Sequence, residues 1–167
     1  MSDAWPPSRL GRRFGPLEVS GGALVLGDSS GSHAVLTPEE LVLVEWRGER
    51  RPIAWDDIAD AELAVPTTRF RWPGAATTLA LTVAGAFLVD PAYGDEAPHG
   101  NLVVTLREGQ KVRSPITRHH HGGYWRRSVA GAEVLLRRSI REPGSRSLLA
   151  APERVLDLLS GRGSARR

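Results

Sequence analysis

The sequence predicts a mainly β domain of the α+β class, a barrel or sandwich of antiparallel strands with helices gathered toward the C-terminus. Three observations carry that expectation. Short Val- and Leu-rich runs recur between turn signals from Leu17 to Val65, the spacing of closely connected antiparallel strands. Glycine (18) and proline (12) are frequent for 167 residues, which marks a turn-rich chain short of low complexity. Helical spacing of apolar residues is confined to two stretches near the C-terminus.

Taken in order, Leu17–Ser20 meets the turn Gly21-Gly22, and Ala23–Leu26 meets Gly27–Gly31. His33–Leu36 runs into Thr37-Pro38-Glu39-Glu40, where Pro38 presets the φ of a type I turn. Leu41–Trp46 follows, with Leu41 and Leu43 on one face and Val42 and Val44 on the other. The turn Arg47-Gly48-Glu49 leads to Arg51–Ala54, a short helical corner follows Trp55, and Asp60–Val65 resumes as a strand. Asn101–Arg107 and Gln110–Ile116 alternate across Glu108-Gly109 as a hairpin. The apolar run Ala75–Val89 is too short to cross a bilayer, and its periodicity separates helix from strand poorly. Its alanines favour a mostly helical element packed on the sheet or on a second subunit. A loop is expected from Asp90 to Gly100.

Tyr124–Arg141 is the clearest helix. Trp125, Val129, Ala132, Leu136 and Ile140 fall within an arc of about 80°, and Arg126, Arg127, Arg137, Arg138 and Arg141 within about 120° opposite, at about 100° per residue. Glu142-Pro143 ends it. A short strand, Arg146–Leu149, is expected next, then a helix opened by Pro152 and Glu153 with Val155, Leu156 and Leu159 inward. The core is expected to include Leu41, Leu43, Ile53, Trp55, Ile58, Val103, Trp125 and Leu156.

The net charge of +3 conceals a division. Residues 1–106 carry 8 basic and 14 acidic side chains, residues 107–167 carry 14 and 5, giving −6 and +9. Such asymmetry points to an anionic partner or to a charged self-contact, for instance with Glu39, Glu40, Asp56, Asp57 and Asp60. The absence of cysteine excludes disulfides, thiol catalysis and Cys-ligated metals. Met1 to Pro16 lacks the apolar core of a secretory signal, so a cytoplasmic protein, peripheral to the membrane at most, is expected.

No catalytic signature of the P-loop, dinucleotide, zincin or hydrolase type is present, and no cofactor is implied. His119-His120-His121 invites a metal reading, but adjacent imidazoles cannot converge on one ion, so His119 and His121 would need a third ligand such as His99. A polar loop before a helix is the plainer account. Asp90, Asp95, Glu96 and His99 could offer oxygen and nitrogen ligands in one loop, yet their spacing matches no EF-hand. That leaves the arginine arc 126–141 as the candidate site, able to face lipid headgroups or nucleic-acid phosphates.

From His33 to Val65 the chain resembles the bacterial pleckstrin-homology-like domains. The residues that carry the resemblance are Leu36-Thr37-Pro38-Glu39-Glu40-Leu41-Val42-Leu43 and Ile53-Ala54-Trp55-Asp56-Asp57-Ile58, with Leu148–Leu156 similar to that family's last strand and helix. The resemblance implies a partly open barrel whose end Trp55 plugs, a helical turn capped by Asp56 or Asp57, and a C-terminal helix over the barrel. It covers about 17–65, 101–116 and 146–160, so 66–100 and 117–145, with the amphipathic helix, read as insertions. The expected organisation is an arm over 1–16, one domain over 17–160 and a basic tail over 161–167. A non-enzymatic interaction module for a protein partner or an anionic membrane surface is implied, with nucleic acid as the alternative target.

Overall fold

A computed structural model describes residues 12–69, 99–120 and 123–161. The expected helix at 75–89 and residues 90–98 of the loop expected over 90–100 lie outside them, while His99 and Gly100 open a strand rather than end a loop. The strands are β1 (Arg13–Phe14), β2 (Leu17–Ser20), β3 (Ala23–Leu26), β4 (His33–Leu36), β5 (Glu40–Val44), β6 (Arg50–Ala54), β7 (Ile58–Ala64), β8 (Thr67–Thr68), β9 (His99–Leu106), β10 (Lys111–Thr117) and β11 (Tyr124–Trp125). Helices α1 (Arg126–Arg141) and α2 (Pro152–Leu159) follow. Strands β1 to β6 form an antiparallel meander in chain order; β7, β9 and β10 form a second sheet in the order β10-β9-β7; β8 and β11 pair in parallel. The protein is thus mainly β. Among the described residues no helix is long and apolar enough to cross a membrane.

Turn chemistry sets the meander. Gly21 and Gly22 both hold positive φ (58° and 79°), as a two-residue hairpin consistent with right-handed strand twist requires. At the next turn on that side, the Thr37 hydroxyl accepts from the Glu40 N–H while the Thr37 N–H donates to the Glu40 carbonyl. Leu24, Leu26, Ala34, Leu36, Leu41, Leu43 and Ile53 share the inner face and join Trp55, Ile58, Leu102 and Val104 in one core. On the outer face the register aligns Glu18, Val25, Val35, Val42 and Pro52 in a row across five strands.

The expected barrel does not close among the described residues. Pro52 interrupts the donors of β6, a strand exposed apart from Ile53, so β6 stays an edge. The 3₁₀ turn Trp55–Asp57 then redirects the chain into the second sheet. The turn carries no side-chain cap: Ala54 precedes it, and Asp56 and Asp57 sit inside its first turn. The two sheets meet instead at Thr117, whose N–H donates to the Ser32 carbonyl (2.7 Å) and whose carbonyl accepts from the Asp28 N–H (2.9 Å).

Helix α1 lays Val129, Ala132, Leu136 and Ile140 against the core, and α2 buries Val155 and Leu156. Several expectations shift. Arg13–Phe14, inside the expected arm, pair with β2. Val103 is half-buried because Leu102 and Val104 supply the inner face of β9. Trp125 is half-buried because it precedes the helix in extended conformation (φ −61°, ψ 127°) and so leaves the apolar seam. The expected strand Arg146–Leu149 is a 3₁₀ stretch, Pro143–Ala150. There the Ser145 hydroxyl donates to the Glu142 carbonyl (2.8 Å), and the Arg146 guanidinium donates to Ser139 O (2.8 Å) and Asp56 (2.8 Å), holding the chain against the end of α1.

Candidate functional site

All five arginines of the arc are exposed. Arg137 pairs with Glu133 (3.1 Å) and Arg138 with Glu142 (2.8 Å), each one turn away, so both are neutralised along the helix itself. Arg127 stacks its guanidinium 5.8 Å from the centre of the Trp125 ring. Among the described residues Arg126, Arg127 and Arg141 form no ion pair, and of the acids Glu39, Glu40, Asp56, Asp57 and Asp60 it is Asp56 that finds an arginine, taking Arg146 rather than a member of the arc. Val134, 57% exposed, sits within the same arc. The first turn of α1 holds two arginines and no acid. Cations there oppose the helix dipole at a cost of about 0.3–1 kcal/mol each, a local concession that folding did not require.

Beside the N-terminus of α1 lies a second feature, a cavity of about 750 Å³ between the β1–β2 turn, residues 119–120 and 124–128, and the end of α2. Gly15 (φ 58°) brings that turn against α1 so closely that a Cβ there would lie 2.1 Å from Ser128 Oγ. Phe14, Trp125, Leu156 and Leu159 give the cavity apolar walls, and Arg12, Arg13, Arg127, His119 and His120 give it a cationic lining.

Its floor is a buried polar network. Glu18, 2% exposed, accepts from the Ser29 N–H (2.8 Å), from Arg13 Nε (3.0 Å) and from His119 Nε2 (3.2 Å). The Tyr124 hydroxyl lies 3.0 Å from His119 Nδ1 and accepts from the His119 backbone N–H (3.1 Å). With the proton on Nε2, every donor in this chain meets an acceptor: Nε2–H to Glu18, Tyr124 O–H to Nδ1, and the His119 N–H to the Tyr124 oxygen. Burial alone would raise the Glu18 carboxyl, but hydrogen bonds from His119, Ser29 and Arg13 together outweigh it and hold it at about 2. Burial pushes the Tyr124 phenol up. With both its ring nitrogens engaged, His119 is placed to hold the floor rigid rather than to exchange a proton with a ligand.

The metal candidates are not brought together. His119 faces Glu18 and Tyr124, His120 lies edge-on to Tyr124, and His99 is exposed at the start of β9. His121, Asp90, Asp95 and Glu96 lie outside the described residues. Among those described, no group of three His, Asp or Glu could hold a metal ion. Glu18, Arg13 and Tyr124 escaped sequence reasoning; the one available signal was a lone carboxylate between Leu17 and Val19 of a strand. Trp46, expected to end the strand Leu41–Trp46, lies beyond β5, which stops at Val44. Its ring is 73% exposed at the β5–β6 hairpin tip, between exposed Glu45 and Arg47. Comparison with protein-family models, curated proteins and solved structures gives no match.

Proposed function

We propose that this chain is a non-enzymatic interaction module of pleckstrin-homology-like type that docks on an anionic membrane surface through the outer face of α1. The meander, the Trp55 corner and the C-terminal α2 support the type. The observation that carries the function is the exposed arc on which Arg126, Arg127 and Arg141 form no ion pair among the described residues and surround an exposed valine. Guanidinium groups suit phosphate geometry, and Val134 adds an apolar contact at headgroup depth. Each arginine held near an anionic leaflet contributes about 1 kcal/mol, enough together for measurable association without a shaped pocket.

Co-sedimentation with vesicles of phosphatidylcholine, alone or mixed with phosphatidylglycerol, tests this reading. Binding is expected only to the mixed vesicles, falling steeply with salt. It is expected to be lost in Arg126→Glu/Arg141→Glu, whose melting temperature stays near that of the parent because neither side chain makes an ion pair among the described residues and the dipole gain at the first turn of α1 offsets the loss at its last. Unchanged vesicle binding in that variant overturns the proposal. Duplex DNA displacing the protein from vesicles at stoichiometric amounts would favour the nucleic-acid reading instead.

A further inference from the structure

The cavity beside α1 shares only Arg127 with the docking arc, and its walls are both cationic and apolar. Arg13 lines it from β1, Arg127 from α1 and His120 from the stretch before β11, and among the described residues no aspartate or glutamate side chain lines it. Arg12 also reaches it but is held by Glu153 and Asp157. Glu18, the nearest buried carboxylate, lies beneath, its charge taken up by Arg13, His119 and the Ser29 N–H. Phe14, Trp125, Leu156 and Leu159 supply its apolar walls, beside the neutral Tyr124, Ser128 and Ser160. At about 750 Å³ the cavity falls within the range of small-molecule sites.

We propose that this cavity is a binding site for a small organic anion, a phosphate or carboxylate head on an apolar body. The head is received by Arg127 and the outer nitrogens of Arg13, the body by the apolar walls. Arg13 is prepositioned for this. Its Nε is committed to Glu18, which fixes the plane of the guanidinium, while its side chain remains 40% exposed. Arg127 is held over Trp125 in the same wall. Two guanidinium groups oriented at one mouth favour a bidentate oxyanion over a neutral ligand of equal size. Glu18 contributes indirectly, as the residue that positions Arg13 and His119.

Isothermal titration of the full chain with octyl phosphate and with octanoate, both kept below micelle formation, tests the site and separates the two heads. Saturable one-to-one binding of at least one is expected. Inorganic phosphate, lacking the chain, and octanol, lacking the charge, are expected to bind about tenfold or more weakly. Arg127→Ala is expected to weaken octyl phosphate about tenfold with an unchanged melting temperature, and Arg127→Lys to recover part of the loss. Binding that octanol matches, that ignores Arg127→Ala, or that never saturates overturns the site. Its failure is distinguishable from failure of membrane docking: Arg126→Glu/Arg141→Glu, which touches neither cavity wall, is expected to abolish vesicle binding and leave octyl phosphate affinity intact.

Discussion

The two ends of the meander are finished in opposite ways. At one end Trp55 is fully buried, its indole N–H donating to the Thr37 carbonyl (2.8 Å), and apolar packing closes the structure. At the other, the same sheet ends on Glu18, His119, Arg13 and Tyr124, and a cavity stays open above them. An apolar plug needs only volume and one satisfied N–H. A polar floor needs every donor matched, which constrains more residues and leaves charges pointing outward. The difference teaches where ligand chemistry is affordable: at the end whose stability comes from matched charges rather than from filled space.

Substitutions at each end sharpen that contrast. Trp55→Ala is expected to have the largest effect, a loss of about 3–5 kcal/mol in denaturant unfolding, since it empties the core and frees the Thr37 carbonyl. A Trp55→Ala protein melting with the parent would break the picture of a packed end.

Glu18→Gln should come next, at about 2–3 kcal/mol, and its signature is the pH dependence. The carboxyl is held below its ordinary value, so its contribution is present above about pH 5 and is lost as pH falls toward 2. Chemical unfolding of the parent across that window should lose stability to acid more steeply than Glu18→Gln. Parallel acid limbs would mean the floor is not ionic.

Thr117→Val probes the joint between the sheets. It deletes the hydroxyl that accepts from the buried Ser32 N–H (3.0 Å) and should cost about 1–3 kcal/mol by thermal or denaturant unfolding. Trp46→Ala, by contrast, removes a ring that is mostly in water and is expected to change unfolding by less than about 0.5 kcal/mol. A larger loss would show that this hairpin tip is packed rather than free.

Local rules made much of the scaffold readable. Alternation and glycine turns placed β2 to β5 because each strand pairs with its chain neighbour, so register follows from turn length. The inward face of α1 followed from one period, and six of the eight expected core residues are buried: Leu41, Leu43, Ile53, Trp55, Ile58 and Leu156. What escaped depends on contacts distant in sequence. Alternation puts Glu18 on the outer face of its sheet, where it is, but its burial comes from His119, 101 positions away. The 143–150 stretch reads as strand by its residues, yet Arg146 is recruited by Ser139 and by Asp56 of the Trp55 corner, which winds it. Closure into a barrel was not legible either, because it turned on which edge Pro52 leaves unpaired. The arginine arc was visible in sequence; its division into paired and unpaired members depended on where Glu133 and Glu142 fall.

The meeting of β7 and β9 has a consequence for how such a chain changes over generations. Ala64 stands opposite Asn101, and a Cβ added to Gly100 would come within 2.4 Å of Val65, so the two strands leave and re-enter the sheet through a single narrow doorway. The chain leaves at Val65 and returns at Gly100, neighbouring points, and in general doubling the length of a flexible connection between fixed ends costs only about 0.6 kcal/mol. Insertions and deletions there are cheap for the scaffold, whereas any side chain at Gly100 jams the door. The doorway is thus a port, a place where the chain can vary in length between lineages while both ends of the meander keep their separate finishes.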